Sequence, residues 1–338
     1  KCSQRGKIVK TLRREERPID TGKYEGAIVL DPMIDIYNTP ISVADFNSLY
    51  PSSMISENIS NDTLVTDSKY DRLAGFEYNT IEYDEFAYQQ AKHKRTGALI
   101  KKMEKVHKGK KICRFVGNMK GILPEIEEEL ISSRKFAKNK MDEYKEKGDV
   151  SMAATWDCQQ LAYKLTCNSI YGITGATVSP IYNRDIAASI TATGRKMIIF
   201  SKNYVEQTYR NMPFTLKEAK TRSSDIVIDK AVCVYGDTDS VFIRFDMRYA
   251  DNGEQLTKLE AVFASMEICK RVSREISLQL KSPQNLDFEK TIYPFLLINK
   301  KMYKGHYYTK MNRDSYYVNT MGFATKKRDS APIAKVVV

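Results

Sequence analysis

Apolar and polar positions mark most of the chain's elements. Ala27-Ile28-Val29-Leu30 and Ile41-Ser42-Val43-Ala44-Asp45 read as strands, punctuated by Pro32 and Pro40. Residues 60–111 carry the weakest pattern. Ile122, Ile126 and Leu130 then recur every four residues and predict a helix over 121–146, with Gly148 as its stop. Glu125, Glu127, Glu128 and Glu129 crowd its first turns, where acidic charge suits the helix dipole. A second helix is predicted from Ser151 to Tyr171, ending before Gly172. The short Lys147-Gly148-Asp149 connection makes the two an antiparallel helical hairpin. A third helix starts near Asp185 and carries Ile186, Ile190, Met197, Ile198 and Tyr204. Ala231–Tyr235 and Ser240–Phe245 flank Gly236-Asp237-Thr238-Asp239 and read as a β-hairpin. Residues 254–280 look helical and 286–310 strand-like. The polar, charged residues 1–23 read as a linker or severed end.

Length and composition narrow the class. The 338 residues suit two domains or one large one. With 42% apolar residues the chain can build a sizeable core, which excludes disordered and fibrous classes. No apolar run reaches the roughly 20 residues of a membrane span, and no targeting segment opens the chain. A first residue of Lys rather than Met suggests a piece of something longer. None of the six cysteines forms a C-x-x-C pair, and with three histidines no zinc-finger spacing appears. They read as buried or free thiols in a reducing compartment. The net charge of +12 favours a polyanionic partner. Residues 92–111 are strongly basic and read either as a solvated face or as a DNA-contacting patch.

Several residues have chemical potential. Asp45 ends an apolar strand, and Asp237 and Asp239 sit at a hairpin tip. Two apart on extended backbone, Asp237 and Asp239 point the same way. Carboxylates converging at strand ends repel unless cations sit between them, and hard oxygen ligands suit Mg²⁺. Two such ions about 3.5–4 Å apart clamp an in-line phosphoryl displacement. The bland alternative is that Asp-Thr-Asp is only a turn. After Asp45, a helix starting near Asn47 or Ser48 would leave free N–H groups for a triphosphate, or be merely a capped helix. Arg134 and Lys138 are four apart, as are Lys164 and Asn168, with Tyr171 following. Facing one another, they would line a phosphate-binding wall, or else form a solvated stripe. Asn299-Lys300-Lys301-Met302-Tyr303-Lys304 suits a strand tracking a nucleic-acid backbone, or an edge strand guarded by lysines.

In this order the segments resemble the motifs of the family B DNA polymerases. Asp45-Phe46-Asn47-Ser48-Leu49-Tyr50-Pro51-Ser52 resembles motif A. Lys164-Leu165-Thr166-Cys167-Asn168-Ser169-Ile170-Tyr171-Gly172 resembles motif B, and Tyr235-Gly236-Asp237-Thr238-Asp239-Ser240 motif C. Lys300-Lys301-Met302-Tyr303 is similar to the K-K-x-Y primer grip. Tyr24-Glu25-Gly26-Ala27 is similar to the template-touching motif ahead of motif A. Leu130 to Lys138 resembles the fingers helix, and Lys327-Arg328-Asp329 the start of the thumb. The general flavour is that of large DNA-virus relatives.

The resemblance implies an α+β fold, an antiparallel-sheet palm with an inserted helical-hairpin fingers subdomain. Its boundaries would be palm over 1–58, a variable insertion over 59–120, fingers over 121–172, palm again over 173–310 and the start of a thumb over 311–338. It implies two Mg²⁺ ions on Asp45, Asp239 and the Phe46 carbonyl, with Asp237 in support. Ser48, Leu49, Arg134, Lys138, Lys164 and Asn168 would hold the nucleotide. Tyr50 would be the steric gate against a 2′-OH, and Tyr171 would pack on the nascent pair. Tyr24, Gly26, Tyr235, Gly236, Lys300, Lys301 and Tyr303 would touch DNA. The partners implied are primer–template DNA, dNTPs and a processivity factor, with no membrane. The setting would be intracellular, in a host nucleus or at a cytoplasmic viral replication site. Set against the family's pattern, the exonuclease region and most of the thumb would fall outside these 338 residues. The rival readings are a two-metal nuclease and an inactive DNA-binding module.

Overall fold

A strand with no polar face must be covered on both sides, and Ile41–Phe46 is such a strand, with only Asp45 less than fully buried. The computed structural model builds the fold around it and describes residues 24–71, 73–92, 99–313 and 315–323. The charged segment 1–23, Lys94, Arg95 and Lys327-Arg328-Asp329 lie outside the described residues. In chain order the strands are β1 (Asp35–Tyr37), β2 (Ile41–Phe46), β3 (Tyr78–Lys92), β4 (Leu99–Val116), β5 (Arg210–Thr215), β6 (Asp225–Asp237), β7 (Ser240–Tyr249), β8 (Leu286–Asn299), β9 (Met302–Tyr308) and β10 (Tyr316–Met321). The helices are α1 (Leu49–Ser56), α2 (Ile122–Glu146), α3 (Val150–Gly175), α4 (Arg184–Thr208) and α5 (Lys258–Ser277). The architecture is α+β, as expected.

The chain divides into two units, one containing residues 28–47 and everything from 195 onward, the other 48–194 with the segment before 28. The first holds an antiparallel sheet ordered β10-β9-β8-β2-β7-β6-β5, with β1 also on β8. Its core joins Ile41, Val43, Val234, Tyr235, Phe242, Ile292, Phe295 and Tyr303. The amphipathic helix α5 packs on β8 and β2 through Val262, Met266 and Cys269, all buried. Even the polar Ser42 of β2 is satisfied internally, sharing a 2.8 Å hydrogen bond with Thr291.

The second unit holds the helical hairpin α2–α3, helix α1 and the isolated ribbon β3–β4. Gly148 adopts φ 75° in the connection, and the Asp149 carboxylate caps α3 by accepting from the Met152 N–H. The ribbon's base is apolar: Ile81, Tyr83, Cys113 and Phe115 pack with Met54, Ile186 and Ile190.

Three expectations are corrected. Residues 60–111, the least patterned stretch, include most of a long strand pair, β3–β4, whose two register shifts break any steady alternation. Ala27–Leu30 is not a strand but a single bridge, Val29 to Asp237, flanked by the Leu30 N–H donating to the Gly236 carbonyl. Helix α3 runs past Gly172 to Gly175. A mid-helix glycine costs only about 1 kcal/mol, and the next turn is anchored by buried Thr174, whose hydroxyl donates to the Tyr171 carbonyl.

The β8–β9 pairing depends on Gly305. A Cβ there would collide with the Ile292 side chain and lie 2.7 Å from the Pro294 carbonyl oxygen. Gly305→Ala should therefore cost about 1–3 kcal/mol, read as a lower urea midpoint at unchanged m-value. A midpoint equal to wild type would mean that the hairpin yields at no cost.

Candidate active site

The end of β2 lies between two partners. In register Asp45 faces Ser240 of β7 on one side and Asp287 of β8 on the other. The next residue ties it further, because the Phe46 N–H donates to the Asp239 carbonyl at 2.8 Å. Asp45 and Asp239, far apart in sequence, are thus backbone neighbours.

Asp237 and Asp239 flank a tight turn rather than sharing one extended face, which corrects the strand geometry expected for Asp-Thr-Asp. Thr238 takes φ 60°, and the Asp239 N–H donates back to the Asp237 carbonyl at 2.6 Å. Burial first, and then the charges of Asp237 and Glu289, raise the Asp239 pKa, with Lys301 pulling the other way. The Lys301 ammonium pairs with Asp237 at 2.6 Å, and the Lys301 N–H donates to the Tyr235 hydroxyl at 2.8 Å. Lys300 pairs with Asp31 at 2.7 Å. Both lysines occupy the β8–β9 turn, Lys301 at φ 58°. Tyr235 and Tyr303 are buried in the aromatic cluster with Phe242, and burial pushes the Tyr235 hydroxyl up to about 12.

In the other unit, Ser48 caps α1 with a left-handed backbone (φ 49°) and no side-chain capping bond. The first helical hydrogen bond of α1 comes from the Ser52 N–H, which leaves the start of the helix an N–H-rich end. Arg134 donates to the Ser48 hydroxyl at 3.4 Å. Tyr50 packs against Tyr171 with ring centroids 4.3 Å apart and planes tilted by 38°. The Tyr171 hydroxyl meets that of Tyr24 at 3.2 Å. The segment after Tyr24 is held by the Thr191 hydroxyl, which donates to the Glu25 carbonyl, while Gly26 is exposed. Lys138, Lys164 and Asn168 are exposed on the helical hairpin. Predicted residues thus fall into two local groups: Asp45, Phe46, Asp237, Asp239, Tyr235, Gly236, Lys300, Lys301 and Tyr303 in one unit, and Tyr24, Gly26, Ser48, Leu49, Tyr50, Arg134, Lys138, Lys164, Asn168 and Tyr171 in the other.

The profile of DNA polymerase family B matches residues 1–338. The chain belongs to that family. It is 35% identical to a DNA polymerase of Pyramimonas orientalis virus, over 99% of this chain and 29% of that protein. It is 34% identical to a DNA polymerase of Phaeocystis pouchetii virus, over 87% of this chain and 29% of the relative. It is 35% identical to the DNA polymerase delta catalytic subunit of Caenorhabditis elegans, over 93% of this chain and 24% of the relative. The chain spans less than a third of the length of these polymerases.

The motifs omit part of this polymerase segment's charged surroundings. Asp287 lies beside Asp45 in register and accepts from the Asn47 side-chain amide. Glu289 is the extra residue where the β2–β8 register shifts, between the pairs Val43–Lys290 and Ala44–Phe288. The period-two Asp287-Phe288-Glu289 opening a strand is the signal in the sequence that points to them. Among the described residues no three His, Cys, Asp or Glu side chains are already gathered at metal-binding spacing. The donor set at the end of β2 is nonetheless one of hard oxygens around a half-buried carboxyl whose pKa is raised by desolvation and then by its like-charged neighbours, which suits a hard cation.

Glu127 corrects the dipole expectation. It does not sit with the solvated acids of α2 but is fully buried, seven residues before Arg134 and against Cys167 of α3. Burial pushes its pKa up to about 8, slightly offset by the Cys167 thiol, which burial and Glu127 raise in turn to about 12. Because the folded pKa lies above the unfolded one, the native state favours the protonated acid. Stability is full below about pH 4.5 and is lost as pH rises toward 8. Glu127→Gln should remove that loss and stabilise the chain at pH 7.5 by roughly 1–3 kcal/mol. The check is denaturant unfolding at pH 5 and pH 7.5, and an equal pH dependence in both proteins would refute it.

Proposed function

We propose that the chain carries the nucleotidyl-transfer centre of a DNA-directed DNA polymerase, extending a primer 3′-OH from dNTPs on a template. The observation that carries this reading is the hydrogen bond from Phe46 N–H to Asp239 C=O, which makes Asp45 and Asp239 neighbours at one sheet end. In this reading residues 1–58 and 173–310 are the palm, 121–172 the fingers, 59–120 an insertion and 311–338 the start of a thumb.

Asp45, Asp239 and the Phe46 carbonyl would hold two Mg²⁺ ions. Such ions, when bound, supply charge neutralisation for the phosphoryl oxygens and lower the pKa of the attacking hydroxyl. The remaining work falls to the chain's own groups. Asp237, neutralised by Lys301, keeps the hairpin tip from accumulating a third free negative charge. The N–H-rich start of α1 at Ser48 and Leu49 and the cations Arg134, Lys138 and Lys164 have the chemistry to bind triphosphate oxygens, with Asn168 as amide donor. Arg134, already bonded to Ser48, orients that helix start. Tyr50, braced by Tyr171, is rigid enough to exclude a 2′-OH by contact. Lys300, Lys301 and Tyr303 would steady the primer strand, with Tyr24 and Gly26 on the template side, while Tyr235 and Gly236, expected to touch DNA, are both buried and would act by positioning, Tyr235 through its bond to the Lys301 N–H. Catalysis would come mainly from positioning and charge neutralisation.

Asp239→Ala should lower dNTP incorporation in primer extension by roughly a thousandfold while the circular-dichroism melt stays that of a folded protein. Incorporation at the wild-type rate would remove Asp239 from the centre, and primer shortening without dNTPs in the wild type would replace synthesis with nuclease chemistry. Tyr50→Ala should lower the preference for dNTP over rNTP by about tenfold or more, and unchanged discrimination would overturn the gate.

A further inference from the structure

Helix α2 starts without a cap of its own. Its N-cap is Gly121, which has no side chain to accept from the first N–H groups. Those groups are met instead by the loop that follows α1. Asn58 Oδ1 accepts from the Gly121 N–H at 2.9 Å, Asp62 Oδ1 from the Ile122 N–H at 3.2 Å and Ser60 Oγ from the Leu123 N–H at 3.3 Å. The Asn58 amide also donates to the Val116 and Met119 carbonyls, at 2.5 and 2.7 Å. One side chain thus ties the end of β4 and the start of α2 to the residues just after α1. Asn58 is buried and takes φ 54°, a left-handed backbone that asparagine enters more readily than most residues. A Cβ at position 121 would lie 2.8 Å from that of Ser60, so this seat closes over the glycine.

Both helices joined at the seat carry residues of the candidate site. Ser48 and Leu49 open α1, and its far end leads directly into Asn58. Arg134 lies thirteen residues after Gly121, which is about 20 Å along the helix at 1.5 Å per residue. Over that lever a tilt of about 5° at the seat moves Arg134 by nearly 2 Å. Arg134 reaches the Ser48 hydroxyl at 3.4 Å, a long bond that holds α2 only weakly. The bonds at the seat therefore set the angle at which α2 brings its cation to the start of α1.

We infer that Asn58 is a positioning residue for nucleotide binding, which acts through Arg134 by seating α2 on the loop after α1. The inference rests on the reading of Arg134 and the start of α1 as a triphosphate site. Asn58 itself touches no nucleotide. A small misplacement made far from the reacting atoms is enough to cost a large factor in binding or rate. The effect falls on nucleotide affinity and is the same for every base, since the cation meets phosphate oxygens rather than a base edge.

The test is steady-state primer extension by the full chain, with kcat and KM measured for each dNTP. The variant is Asn58→Gly, because glycine keeps the left-handed backbone and removes the side-chain bonds alone. Arg134→Ala and the double variant complete the cycle. Asn58→Gly should raise KM about tenfold for every dNTP, with kcat within about twofold of wild type and primer–template affinity unchanged. In the double variant KM should equal that of Arg134→Ala, since losing the seat costs nothing more once the residue it positions is gone. A lowered kcat at unchanged KM would mean only a smaller folded fraction and would overturn the positioning role. KM changes that multiply in the double variant would overturn it as well. If Asn58→Gly melts as an unfolded chain, Ser60→Ala takes its place, losing the Leu123 bond while Asn58 stays. It should raise KM about threefold, and an unchanged KM there sinks the inference. Arg134→Ala keeps the readings separable. If it alone leaves KM unchanged, the triphosphate site falls and the seat's role falls with it. If it raises KM and Asn58→Gly does not, only the role of Asn58 falls.

Discussion

The constraint on which the rest depends is the burial of β2 on both faces, between β7 and β8. A strand held this way has no freedom of register, since a one-residue slip would turn its apolar set outward and Asp45 to the opposite face. The hydrogen bond from Phe46 to Asp239 is the last rung of that ladder. It carries positional accuracy from the core to a place where the fold gains nothing locally. There the half-buried carboxyl of Asp239 stands near Asp237 and Glu289, and Lys301 offsets only part of the repulsion. Local disagreement between charge and burial of this kind is what a functional site looks like in an otherwise consistent sequence.

Much of this is legible in the sequence. The mostly apolar run to Asp45, the hairpin around Asp237 and Asp239, and the four-residue periodicity of α2 are local patterns, and local patterns survive folding. The connection at Gly148 is equally readable, because left-handed backbone there favours glycine. Other features depend on contacts that periodicity does not encode. Glu127 reads as one more solvated acid, and only the meeting of its helix face with Cys167 buries it. Thr238 turns what reads as extended Asp-Thr-Asp into a tight turn. Lys301 reads as a DNA-facing cation, yet its ammonium lies on Asp237, a residue 64 positions away. Gly172 reads as a helix end because glycine's modest propensity cost is visible in the sequence, whereas the burial of Thr174 that outweighs it is not.

The second unit uses a different economy. Its hairpin exposes Phe136, Leu161 and Leu165 along with its charges, and its specificity rests on a few inward contacts: the tilted Tyr50–Tyr171 pair, the hydroxyl pair of Tyr171 and Tyr24, and Arg134 on Ser48. The aromatic contacts cost little ordering entropy, since each tyrosine has few rotatable bonds. The base of the ribbon combines the same two means, with apolar packing through Ile81, Tyr83, Cys113 and Phe115 and ion pairs of Lys111 with Asp185 and Arg114 with Asp71.

The irregularity at Glu289 has a consequence for variation in this fold. One additional residue on β8 is absorbed where β2 and β8 change step, so the stretches on either side keep separate phases. Excising Glu289 would let the ladder run from Val43–Lys290 to Ala44–Phe288 without a step, so Asp45 would keep Asp287, while the local twist of the bulge and the charge of Glu289 near Asp239 would be lost. The extra residue therefore does not set the register of the strand pair; it adds one carboxylate to the surroundings of Asp239, and a lineage that lost it would keep the pairing and forfeit that charge.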